Sequence, residues 1–297
     1  ESKFQPVAIK SAGPEEDDKL LSSYDACPRY SVDVEENGLG EYEKFIKGQE
    51  IQDVIKAIEK RLRINGTLSL TFQDVNTVRK LCAFGIMNHN DDSWCALLDS
   101  ENLNVLNYAS DLEKYYENSF GNELSYKIIC VLLGDITDSL DDFSKGTSEF
   151  RGVFRFASSG TLFSLLTMLG LFDNGTALRA DNFKQSSNRK FPSTFVPMSA
   201  NIALVLYTCN STEVNGKKPD HKVQILVNEK PVGLPCCQGN LNCSLDDFLT
   251  YFKDAVDTCD FDTMCALSST PKAFGSIIRP DILLMEIILI VAFKLSN

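Results

Sequence analysis

Histidine is nearly absent. The 297 residues include two, His89 and His221, so chemistry that needs an imidazole relay or a multi-histidine metal site is thinly supplied. His89 lies in the polar turn Asn88-His-Asn-Asp91 and His221 precedes a strand pattern; both read as solvated loop residues. Positive charge is short as well: Lys and Arg total 29 against 41 Asp and Glu, a net charge of −12. That sign opposes counterion-release binding to nucleic acid, and an anionic ligand would need a local basic pocket. The chain holds no G-x-S-x-G, no Walker A loop, no G-x-G-x-x-G after a strand and no H-E-x-x-H, so several enzyme classes lack their required groups. It also lacks a C-x-x-C pair, and no metal or cofactor is expected. The terminal apolar run, Ile282 to Phe293 with Glu286 inside it, falls far short of the ~20 residues of a membrane-crossing helix. Internal repeats are absent.

Apolar residues make up 43% and charged residues 24%, the balance of a folded globular chain with room for one large domain or two modest ones. Ten cysteines are an even set. Cys82 and Cys95, Cys259 and Cys265, and the group Cys236, Cys237 and Cys243 are spaced as short closable loops. Four N-glycosylation sequons accompany them, at Asn65, Asn174, Asn210 and Asn242. Together these favour the secretory pathway, with an extracellular, cell-surface or endoplasmic-reticulum site, over buried cytosolic thiols. The chain opens on Glu1 without a basic and apolar leader, so a signal would lie upstream and the sequence reads as a fragment or processed product. At the other end, Ser268 and Ser269, a spacer to about Asp281 and the apolar run have the layout of a GPI-attachment signal, which would tie the protein to a membrane by a lipid. Glu286 and Lys294 weaken that layout. The alternatives are a last helix or strand packed on the core, or a frayed end.

Residues 1–50 read as irregular, with scattered Pro and Gly and an acidic cluster from Glu15 to Asp18. Helical spacing then follows in Ile51, Val54, Ile55, Ile58 and Leu62, stopped by Asn65-Gly66. A second helix begins at a Thr71/Asp74 capping box and carries Val75, Val78, Cys82 and Ile86. A third spans about Glu101–Glu117 and a fourth about Leu124–Leu140. Phe150–Ala157 reads as a strand, followed by small residues and an apolar helix over Thr161–Leu171. Ile202–Cys209 suits a central strand, Val223, Ile225 and Val227 alternate as a partly exposed one, and Ser244 with Asp247 should cap a last helix.

Several segments, in order, resemble a known family. They are Trp94-Cys-Ala-Leu-Leu-Asp99 with the helix after it, Ser119-Phe-Gly121, Thr161–Phe172, Asn188-Arg-Lys-Phe191 through Val196-Pro-Met-Ser-Ala-Asn201, and Val223-Gln-Ile-Leu-Val-Asn-Glu-Lys230. Taken together they resemble the multiple inositol polyphosphate phosphatases, a branch of the histidine acid phosphatases, over about Asp18 to Cys265. The resemblance implies an α/β fold: a histidine-phosphatase-like core with an inserted helical cap, the N-terminal part of the core missing. Residues 1–120 would be cap-like with an irregular lead, 121–270 the C-terminal part of the core, and 271–297 a spacer and hydrophobic tail.

The family implies hydrolysis of phosphomonoesters, inositol polyphosphates such as inositol hexakisphosphate foremost, in the cleft between core and cap. An R-H-G-x-R-x-P motif supplies the nucleophilic histidine and phosphate-holding arginines. A later H-A-E supplies a second histidine and the Glu that protonates the leaving alcohol. Neither is intact here. No R-H-G occurs, and the H-A-E position falls on Ser158, Ser159 and Gly160, with no charge to hold phosphate and no proton to give. Lys184, Arg189 and Lys190 fall in the family's basic run and are the substrate-binding candidates; a solvated cation cluster is the alternative. The sequence therefore reads as an inactive or fragmentary phosphatase homologue, against a non-enzymatic extracellular binding protein that keeps the fold.

Overall fold

The computed structural model describes residues 9–11, 18–64, 66–173, 175–187, 189–191, 193–209, 220–267 and 288–295. Helices dominate the first half. A single turn, α1 (Pro28–Tyr30), runs into a wider π-helical segment at Ser31–Glu36, and α2 (Gly40–Ile46) follows. Residues 28–46 thus correct the irregular reading of this region. Their helices are too short for a repeating stripe, and each buries few side chains: Tyr30, Val34 and Phe45.

The longer helices follow most of their apolar spacing, but Leu62 and Ile86, expected on the apolar stripes, are 41% and 49% exposed. α3 (Gln49–Leu62) buries Ile51, Val54, Ile55 and Ile58 and stops where Arg63 turns left-handed, φ 58°, two residues before the predicted Asn65-Gly66. α4 (Phe72–His89) begins at the predicted box: the Thr71 hydroxyl accepts the Asp74 N–H at 3.3 Å, and the Asp74 carboxylate accepts the Thr71 N–H at 2.8 Å. The Thr71 hydroxyl and then its N–H hold the Asp74 carboxyl below its ordinary value. The box therefore contributes fully above the ordinary carboxylate range and is lost as pH falls through the lowered value. Thr71→Ala is expected to lower Tm by about 2 °C at neutral pH and by less in acid, as scanning calorimetry would read. α5 (Ser100–Asn118) is capped by the side chain of Asp99. The single helix expected over 124–140 is two, α6 (Glu123–Lys127) and α7 (Cys130–Lys145), because the chain turns at buried Ile128 and Ile129.

The second half builds the sheet. β1 (Gly152–Ala157) leads directly into α8 (Ser159–Met168), and β2 (Asn201–Cys209), β3 (Asp220–Val227), β4 (Lys230–Val232) and β5 (Asn242–Ser244) follow. α9 (Leu245–Asp257), α10 (Phe261–Cys265) and β6 (Ile288–Leu295) complete the described elements. Strand order is β1-β6-β2-β3-β4, with β5 also on β3. β6 lies between β1, antiparallel to it, and β2, parallel to it. Of the readings of the C-terminal run, the structure matches a strand built into the sheet; Ser268 and Ser269 lie outside the described residues. Ser244 stands at the head of α9 but makes no side-chain cap, which corrects that expectation. Among the described residues no helix is long and apolar enough to cross a membrane.

One core joins the halves: Leu162, Leu165 and Leu166 of α8 and Ile202, Leu204 and Leu206 of β2 pack with Leu112 of α5 and Leu133 of α7. Each such side chain contributes roughly 1.5–3 kcal/mol. A smaller cluster gathers Tyr30, Val34, Leu124, Ile128 and Phe261. Disulfides stitch both. Cys82–Cys95 and Cys237–Cys243 form as their spacing predicts. The expected Cys259–Cys265 loop does not: Cys259, past the end of α9, pairs with Cys130 at the start of α7, and Cys265 on α10 pairs with Cys27 beside α1. The two cysteines sit on elements that face different helices.

Candidate functional site

β1 delivers the chain to Ser158, whose extended backbone (φ −78°, ψ 169°) precedes the first turn of α8. Ser158 makes no capping hydrogen bond. Its hydroxyl is bonded instead to the phenol of Tyr24. The start of α8 stands at the wall of a cavity of about 180 Å³ formed by Ser158, Ser159 and Gly160 with Tyr24, Tyr30, Glu35, Lys114, Glu117 and Asn118.

Hydroxyl bonds hold this wall. Thr161 donates to the Leu21 carbonyl at 2.6 Å, tying α8 to the segment that brings in Tyr24, and Ser164 donates to the Ser125 carbonyl at 2.8 Å. Gly160 is a place of close approach: a Cβ there would stand 3.2 Å from Asn118 Nδ2 and 3.3 Å from Tyr24 Cε1. Tyr30 donates to the Glu117 carbonyl at 2.7 Å, so its oxygen must accept from Asn118 Nδ2, at 3.0 Å. This fixes the amide. Asn118 Oδ1 is buried and without a hydrogen-bond partner.

The charges at the cavity are acidic on balance. Glu35 and Glu117 line it with Lys114, which is ion-paired to Glu117. Burial, then Glu117 and Glu35, raise the Tyr30 phenol, and burial raises that of Tyr24. Both phenols stay protonated. Burial and then Glu35 also raise the neighbouring Asp25 carboxyl. Among the described residues the lining offers hydroxyls, amides and carboxylates, and no imidazole.

Of the residues singled out from sequence, Ser158, Ser159 and Gly160 are at this cavity, and Lys184, Arg189 and Lys190 are not among those that line it. Arg189 is committed elsewhere: its guanidinium is ion-paired to fully buried Asp111 and stacks 5.1 Å from the Tyr108 ring centroid. Arg189 is thus engaged within the fold, away from this cavity. Lys184 and Lys190 are on the surface. Asn242 is exposed, a geometry open to glycosylation, whereas Asn65, Asn174 and Asn210 lie outside the described residues. His89 is exposed at the end of α4, and His221 sits in β3 opposite Thr208. Sequence reasoning missed Tyr24, Tyr30 and Glu35, which come from the stretch read as irregular. It also missed Lys114, Glu117 and Asn118, which sit on α5 beyond its apolar stripe.

The family model described as histidine phosphatase superfamily (branch 2) matches residues 2–228. Multiple inositol polyphosphate phosphatase 1 of Gallus gallus is 29% identical over 272 residues, covering 89% of this chain and 59% of that protein. The Homo sapiens protein of the same name is 28% identical over 269 residues, covering 86% and 53%. Acid phosphatase PHO11 of Saccharomyces cerevisiae is 25% identical over 257 residues, covering 85% and 51%. The chain spans about half the length of the curated relatives it matches.

Proposed function

The chain belongs to the histidine phosphatase superfamily (branch 2), and from that premise we propose that it is an inositol polyphosphate phosphatase homologue whose own residues bind ligand at the head of α8 without hydrolysing it. The observation that carries this is the lining of that cavity. Where phosphoryl transfer needs a nucleophile, cations for the phosphoryl oxygens and an acid for the leaving alcohol, Ser158, Ser159 and Gly160 present two hydroxyls and a hydrogen. Loss of the acid alone removes ~10²–10⁴ in rate. Among the described residues Lys114 is the one cation at the cavity, and it is paired to Glu117.

Phosphate release is the test. Inositol hexakisphosphate incubated with the protein is expected to yield phosphate no faster than a protein-free control. Sustained release that Ser158→Ala or Asn118→Ala suppresses would overturn the reading.

A second reading, a purely non-enzymatic binding protein, is favoured by one feature. The carboxylates of Glu35 and Glu117 suit ligand groups that donate hydrogen bonds, such as the hydroxyls of a polyol, better than a phosphate dianion, which only accepts. Calorimetry with inositol against its hexakisphosphate separates the two: tighter binding of the unphosphorylated ring supports the second. We also place the protein in the secretory pathway, a reading supported by its four disulfides.

A further inference from the structure

The loop that leaves β4 and returns as β5 is closed tightly on itself. Gln238 and Gly239 are left-handed, φ 53° and 81°, and the Gly239 N–H donates to the Leu234 carbonyl at 3.0 Å. A Cβ on Gly233 would fall 2.0 Å from the Gly239 oxygen, so the crossing requires glycine. β5 then pairs Cys243 with Val223 of β3, which brings the end of the loop back beside its beginning. Three sulfurs meet there. Cys237 and Cys243 are joined, and the unpaired Cys236 thiol touches both, 3.4 Å from Cys237 Sγ and 3.8 Å from Cys243 Sγ. A cavity of about 190 Å³, walled by these cysteines with Asn240, Ser244 and Asp247, opens beside them.

We propose that Cys236, Cys237 and Cys243 form a thiol–disulfide exchange site, at which the chain interconverts two disulfide pairings. The Cys236 thiolate attacks Cys243 Sγ. The Cys236–Cys243 bond forms as the Cys237–Cys243 bond breaks, and the electron pair leaves on Cys237, which takes up the proton that Cys236 gave. One thiol and one disulfide exist before and after, so no oxidant or reductant is consumed. Cys243 is the target because a bond from Cys236 to Cys237 would close a strained ring between chain neighbours. Attack runs along the disulfide axis, whereas Cys236 rests beside the bond; the adjoining cavity gives its side chain room to swing. The two pairings differ in what they expose: the Cys236 thiol is half-buried and Cys237 is 8% exposed. Burial, and then the Asp247 carboxylate, raise the Cys236 thiol above its ordinary value, so exchange is slow at neutral pH and quickens as pH rises.

The experiment traps the thiols. The protein is held overnight at pH near 8.5, acidified, alkylated with N-ethylmaleimide without reduction, and mapped by tandem mass spectrometry. Cys209, the other unpaired cysteine among the described residues, serves as the labelling control. The expected result is label on Cys236 in some molecules and on Cys237 in about a tenth or more, the latter with a Cys236–Cys243 linked peptide. Label at Cys236 alone would overturn the proposal. Cys237→Ser supplies an independent reading: its Cys236 and Cys243 are expected to be joined and unlabelled in the folded protein, and two reactive thiols there would also overturn it.

Discussion

Asp111→Ala is expected to unfold at a markedly lower urea concentration than the parent chain, with about 3–5 kcal/mol of stability lost. Asp111 lies on α5 with none of its side chain exposed, ion-paired to Arg189, whose side chain is 9% exposed. The guanidinium is held on two further sides, by the Tyr108 ring and by the Ser186 carbonyl at 3.3 Å. Removing the carboxylate strands that cation in an apolar setting. It also strips negative charge from half-buried Arg79, whose burial Glu113 and Asp111 offset. Replacing both partners with apolar residues of similar volume, Asp111→Leu with Arg189→Met, is expected to recover most of the loss, because the desolvation of two charges disappears along with their attraction. The measurement also decides what Arg189 is for. A structural arginine gives a large coupling energy with Asp111 in a double-mutant cycle and no separate effect on ligand binding. A ligand-facing one would give Asp111→Ala within about 1 kcal/mol of the parent, and Arg189→Ala that loses binding with Tm unchanged.

The fate of Arg189 shows where sequence reading ends. Its segment resembles a basic family run, and the type of residue was right for phosphate, but its buried partner stands 78 positions earlier on a helix whose apolar stripe gives no sign of a charge facing inward. The helices that were legible, α3 and α4, have four or three buried residues at regular spacing, and α4 has a cap whose two bonds run within four residues. Local rules suffice there. They fail for α2, too short to show a period; β1 forms where a strand was expected, with Arg155 buried against Asp135 while Phe154 and Phe156 are about half exposed. The cavity was legible by one wall only. Ser158, Ser159 and Gly160 form a continuous run, whereas Tyr24, Glu35 and Asn118 reach them through tertiary contacts that no spacing encodes.

The cysteines carry the same lesson to its energetic end. Spacing points to the short loops Cys82–Cys95 and Cys237–Cys243 but also to a Cys259–Cys265 loop that does not form, and the two long closures, Cys27–Cys265 and Cys130–Cys259, have sequence separations of 238 and 129. Those long closures are expected to matter most. In the chain-entropy account a cross-link stabilises by removing freedom from the unfolded chain, in proportion to the logarithm of the loop it closes. Cys27–Cys265 closes 238 positions and Cys82–Cys95 closes 13, so removing the first should cost about 5 kcal/mol and the second about 3. The first also binds α1 to α10 and holds together the small cluster of Tyr30, Val34, Leu124 and Phe261. Tyr30 from that cluster anchors Asn118 at the cavity. The Cys27→Ser/Cys265→Ser protein should therefore lose ligand binding at temperatures where its main core is still folded, while Cys82→Ser/Cys95→Ser keeps binding up to its own Tm. Chemical denaturation of both double variants beside the parent, with binding followed across the same range, reads both effects. Equal losses of stability in the two would refute the loop-length argument, and full binding by the first would separate the small cluster from the site.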